Sequence, residues 1–192
     1  LRKKSHISLS LYLVNEVDSP LLDAHKKAFI LGSVLPDCKP SFVTTKHNIE
    51  ETFDKVSKYI SDLTEDAGNY KRISTAYCRR LGEVTHYLAD YFTFPHNHIF
   101  EGNMREHCKY EKYLKHAMKA YVHSDAVELN RHAAQQFHTP QDLLDYVLQM
   151  HQIYLKSEKT VESDCRYIVS LCHVIVEGIL ALLELECGYV AA

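Results

Sequence analysis

Apolar residues recur along this chain at intervals of three and four, and no stretch alternates with the two-residue period of a half-buried strand. Ile7, Leu11 and Val14 form one such stripe near the start. Pro20, directly after Asp18 and Ser19, suits the first turn of a second helix that runs to Val34. Leu35-Pro36-Asp37 stops that helix, and residues 39–45 read as a loop. A third helix is expected over 46–65, closed by Asp66-Ala67-Gly68-Asn69. The fourth starts at Tyr70, places Ile73, Ala76, Tyr77, Leu81, Val84 and Leu88 along one side, and ends or kinks at Pro95. Further helices are expected over 103–121, 125–137, 140–155 with Thr139 as N-cap, and 161–186. Ile168, Leu171, Cys172, Ile175, Ile179 and Leu182 make the last of these a core helix. The pattern predicts an all-α, single-domain bundle of about seven to eight helices over residues 1–192, with no repeat or long linker.

Composition narrows the class without naming it. A chain of 192 residues is long enough to bury a substantial core. Its 22 Lys and Arg nearly balance 25 Asp and Glu, so no global field points to nucleic acid or an anionic membrane. The longest apolar region, 167–190, is broken by Glu177, Glu184 and Glu186, and no transmembrane span is expected. Arg2-Lys3-Lys4 could open a signal peptide, but Ser5, His6, Ser8 and Ser10 interrupt the apolar run that should follow. The six cysteines include no C-x-x-C, and Cys165 and Cys172 lie two helical turns apart, too far to bridge. They read as reduced thiols of a cytoplasmic protein.

The chemistry concentrates in five residues: His86, Asp90, His96, His107 and Glu111. Their pattern is H-x3-D-x5-H, then ten residues, then H-x3-E. A four-residue offset puts two helical side chains one turn apart on one face. Each pair therefore offers an imidazole and a carboxylate converging on one point, the donor set of a borderline-soft divalent cation such as zinc. With 13 histidines in the chain a single pair would mean little, and the weight rests on the pairs together. His86 and Asp90 point away from the Leu81, Val84 and Leu88 stripe, with Arg79 and Glu83 continuing their line. Glu83 either orients a ligand imidazole or pairs with Arg79 on a solvated face. His98, two residues from His96, is a lesser ligand candidate; Cys38 and Cys108, beside Asp37 and His107, read as small packing residues. Tyr87, Tyr91, Phe92 and Phe94 read as core.

Six segments in order, Ser5-His6, 32–37, Lys46-His47, 86–90, Phe94-Pro95-His96-Asn97 and 107–111, resemble the zinc-dependent phospholipase C family, whose fold is shared with the S1/P1-type nucleases. The resemblance implies a cluster of two or three zinc ions in a cleft of the bundle. Asp37, His47, His86 and Asp90 would hold one ion, with Asp90 bridging to a second held by His6. His96, His107 and Glu111 would hold the third. The family completes the His6 site with backbone atoms of an N-terminal tryptophan, a place taken here by Leu1. Tyr87, Pro95 and Asn97 would be scaffold. The implied reaction is hydrolysis of a phospholipid or other phosphodiester by a zinc-activated water attacking phosphorus, with Asp37 as general base and no covalent intermediate. A P1-like nuclease on the same scaffold and a non-catalytic metal-binding descendant are the alternatives. An HD-type phosphohydrolase is excluded, since no His-Asp dipeptide occurs. Choline-handling members carry an acidic residue near the N-terminus and a tyrosine after the aspartate. Here Arg2-Lys3-Lys4 and Cys38 stand instead; the basic tripeptide reads either as favouring an anionic head group or nucleotide or, more plainly, as a solvated tail.

Overall fold

Helices begin in this protein where a short polar side chain captures the free amides of a first turn. Ser19 Oγ accepts the Leu22 N–H and sets the start of α2 (Pro20–Val34), with Pro20 in the first turn. Asn48 Oδ1 accepts the Glu51 N–H at 3.0 Å and starts α3 (Ile49–Thr64). Lys46 and His47 therefore stay outside a helix that the apolar pattern alone begins at 46. Reciprocal capping boxes start α5 (Met104–Tyr121) at Asn103 and Glu106, and α6 (Pro140–Lys156) at Thr139 and Asp142. The remaining helices are α1 (Lys3–Glu16), α4 (Thr75–Tyr91) and α7 (Val161–Cys187). Two 3-10 turns, η1 (Pro36–Cys38) and η2 (Phe94–His96), follow α2 and α4.

The computed structural model describes residues 1–39, 46–65, 74–127 and 137–187, and no strand occurs among them. The expected loop over 39–45 and the closing turn at 66–69 lie largely outside the described residues. So does most of the helix expected over 125–137; Asp125 and Ala126 form a turn instead of its first residues. One hydrophobic core draws on all seven helices.

The core is built around α4, which packs against α1, α2, α3 and α7. Every residue from Leu81 to Tyr91 is buried, so the face carrying Glu83, His86 and Asp90 is enclosed like the apolar one. Ala76 alone of the described stripe is exposed. The tightest packing is between α2 and α4. A Cβ at Gly32 would lie 2.0 Å from the Arg79 carbonyl oxygen, and one at Gly82 would lie 2.1 Å from that of Phe29. Two backbones touch here because both positions lack a side chain.

The first helix departs from its apolar stripe. Its buried residues are Ser5, His6, Leu9, Ser10, Leu13 and Val14, while Leu11 is 49 % exposed. Turning His6 inward toward α4 decides this, at the cost of leaving Leu11 outside. The last helix has the length and apolar character needed to cross a membrane, although 72 % of its most apolar window packs inside the protein.

Candidate metal centre

Six pieces of chain bring polar side chains to one end of α4. His86 and Asp90 come from α4, His6 from α1, Asp37 from η1, His96 from η2, and His107 and Glu111 from α5. His47 sits in the extended residues just before α3. Of the ligand candidates read from the sequence all but His98 meet here: seven fall into two groups, and His6 and Leu1 lie between them.

In the first group, donor atoms of Asp37, His47, His86 and Asp90 lie within 4.8 Å of one another. His47 Nδ1 and His86 Nε2 stand 2.9 Å apart, at 3.1 and 3.2 Å from Asp90 Oδ2. Asp37 Oδ1 completes the set at 3.7 and 3.6 Å from the same nitrogens. The second group joins His96 Nε2 and His107 Nε2 to Glu111 Oε1, at 3.2 and 3.3 Å. Between them, Asp90 Oδ1 faces His6 Nε2 at 3.4 Å and the Leu1 amine at 2.6 Å. The amine also lies 3.0 Å from Glu111 Oε1 and from His96 Nε2. The two oxygens of Asp90 thus serve two different sets of nitrogens.

The donors fit a divalent cation in chemistry as well as position. The His86 ring has one nitrogen, Nδ1, 2.8 Å from the Ser33 carbonyl oxygen, which can only accept. The proton is therefore on Nδ1 of the neutral ring, and the Nε2 lone pair faces Asp37, Asp90 and His47. His96 is fixed the same way, with Nδ1 3.2 Å from the His47 carbonyl oxygen. His6 is buried with neither ring nitrogen in a hydrogen bond among the described residues, and its ring stacks on His86 at 4.0 Å. An unpartnered buried imidazole is costly unless a ligand occupies its lone pair.

The electrostatics prepare the same donors. Burial, with the neighbouring His86, pushes His6 down to about 3, so the ring stays neutral. Burial, reinforced by Asp90, raises Asp37 above the ordinary carboxylate range. Burial alone would raise Asp90 too, but the Leu1 ammonium with His96, His86 and His6 overcomes it and holds Asp90 well below. Glu111 follows suit: its contacts with His107 and His96 and the nearby Leu1 ammonium outweigh its burial and hold it well below the ordinary carboxylate range.

Several supporting groups escape a reading of the sequence. Glu83 neither orients His86 nor pairs with Arg79; it is buried and binds Lys39 Nζ at 2.9 Å, tying the end of η1 to α4. Asp164 of α7 accepts the Phe94 N–H at 2.9 Å and the hydroxyls of Tyr110 and Tyr154 at 2.9 and 2.7 Å. One buried carboxylate thereby clamps η2, which carries His96, to α5, which carries His107 and Glu111. Its sequence neighbours Glu162, Ser163 and Arg166 are polar too, so nothing local marks it. Asn97 caps the end of α4 by donating to the Tyr91 and Thr93 carbonyls, and His151 Nε2 lies 2.8 Å from its Oδ1. His98 is 63 % exposed and pairs with Glu50, away from both groups. Cys38 and Cys108 are exposed, not packed, because η1 and the first turns of α5 lie at the surface. Tyr87, Tyr91 and Phe92 are core, and Phe94 is half-buried.

A cleft of about 930 Å³ opens over the centre and includes Asp37, His47, His96, His107 and Glu111 in its lining. The family model described as zinc dependent phospholipase C matches residues 5–161, from α1 to the first residue of α7. No curated protein and no solved structure matches the chain.

Proposed function

Since this chain belongs to the zinc-dependent phospholipase C family, we propose that it hydrolyses phosphodiesters with metal ions held at the end of α4. The division of the Asp90 oxygens between two sets of nitrogens carries this reading, because a bridging carboxylate is what holds two cations side by side. Asp37, His47, His86 and Asp90 would hold one ion, and His96, His107 and Glu111 another. His6, Asp90 and the Leu1 amine would hold a third. Bound zinc supplies Lewis acidity toward phosphoryl oxygens and toward water.

The chain's own residues do the rest. Asp37 lines the cleft, and its carboxylate, raised by burial, takes the proton of the attacking water. Ser33 and His47 carbonyls fix the rings of His86 and His96, so that no reorientation is needed during turnover. Pro95 and Phe100 give the cleft an apolar wall that limits water around the scissile bond. The substrate class in keeping with the family is a phospholipid: water adds to phosphorus, the bond to the diacylglycerol oxygen breaks, and that alcohol and a phosphorylated head group leave.

The test is elemental analysis of untagged protein together with turnover of bis(p-nitrophenyl) phosphate and a short-chain phospholipid. Two or three zinc ions per chain with release of a phosphorylated head group are expected, and Asp90→Asn should lose at least one ion. Full metal with no turnover on either ester would leave a metal-binding protein without this activity.

A further inference from the structure

The mouth of the cleft carries charge that holding metal does not require. Arg2, Lys3 and Lys46 line it, Arg2 following Leu1 and Lys46 preceding His47. The basic start of the chain is therefore folded over the centre, not a solvated tail. Arg2 Nη2 donates to the Cys108 carbonyl at 3.0 Å, which holds the guanidinium beside His107. The lining carboxylate outside the metal groups is Glu50, whose Oε1 is engaged by His98 Nδ1 at 3.3 Å. Phe100 is the single Phe, Tyr or Trp side chain among the described lining residues, so no cage of their π-faces awaits a quaternary ammonium.

We propose that this cleft selects phosphodiesters bearing a second anionic group, which Arg2, Lys3 and Lys46 hold while the scissile phosphate lies over Asp37 and Glu111. The inference rests on the hydrolase reading only for the identity of the scissile group. Arginine offers a planar fork that matches phosphate or carboxylate, and the two lysines add point charge. Basic groups lining a concave site raise the local concentration of anions beyond what exposed charges achieve on a flat surface. The second anion comes either from a phosphorylated polyol head group or from a nucleotide.

The experiment is calorimetric binding to zinc-loaded protein of an inositol bisphosphate, an adenosine bisphosphate and phosphocholine, alongside turnover of bis(p-nitrophenyl) phosphate. At least one bisphosphate should bind about tenfold tighter than phosphocholine, and that ratio should collapse toward unity in R2Q/K46Q. K46Q alone, at an exposed side chain, should lower the ratio in the same direction. The bisphosphate preferred identifies the source as head group or nucleotide. Phosphocholine binding as tightly, or a ratio unchanged in R2Q/K46Q, overturns the inference, because metal would then account for all anion binding. Absent turnover with a charge-dependent ratio would instead remove the hydrolase reading and keep this one.

Discussion

A single carboxylate organises each half of the centre, and the two are buried for opposite reasons. Asp90 is held ionised chiefly by the Leu1 ammonium 2.6 Å from Oδ1. Asp164 meets only neutral donors, and burial raises it to about 6 from an ordinary value of 3.8. Its sign follows from linkage. Between pH 4 and 6 the folded chain holds a proton on Asp164 that the unfolded chain has released. Stability from this group therefore rises as pH falls through 6 toward 4, and its cost, on the order of 3 kcal/mol, is fully present above pH 6. Urea unfolding of metal-free protein at pH 4.5 and 7 should show this as a difference between wild type and D164N, whose own slope lacks the contribution. An equal slope in both would sink the assignment. Asp90 was visible in the sequence through its spacing from His86, whereas the role of Asp164 depends on tyrosines and an amide 10 to 70 residues away.

At the scale of elements, the caps written into the chain were legible and the contacts between helices were not. Pro20 and Thr139 placed the starts of α2 and α6, and α7 runs within a residue of its expected bounds. Asn48 was a missed cap, and with it the fact that His47, which reaches Asp90 at 3.1 Å, lies before the helix and not in it. The closest contact, α2 on α4, depends on glycines whose partner is a backbone on another helix, which no local pattern encodes. That contact places the Ser33 carbonyl against His86. Gly82→Ala should therefore do two things: lower stability by about 3 kcal/mol, at the upper end for overpacking, and reduce zinc content in the fraction that stays folded. Thermal melts with metal analysis check both, and a variant that melts lower but keeps full metal would separate packing from the site.

Over the whole molecule, the centre gathers side chains from α1, η1, the approach to α3, α4, η2 and α5, so metal held there would stabilise the bundle as a unit. A ligand that binds only the folded chain at about 1,000 times its Kd adds about 4 kcal/mol. For a chain of this size that is on the order of 10 °C in Tm. Chelation should produce a drop of that order and zinc should restore it; an unchanged melt would mean that the donors hold no metal. The order of the motif segments was readable because each keeps its spacing, while their convergence is a property of the closed fold. That convergence also has a kinetic side. The contacts that complete the first group bring His47 to Asp90 and His86 across 43 and 39 positions, and the amine reaches Asp90 across 89. Early in folding, only the i,i+4 pairs His86–Asp90 and His107–Glu111 exist as two-toothed chelates on nascent helices. An ion captured by one of them would stay there and gain its remaining ligands as the other segments arrive, so the metal's arrival time would become part of the folding pathway.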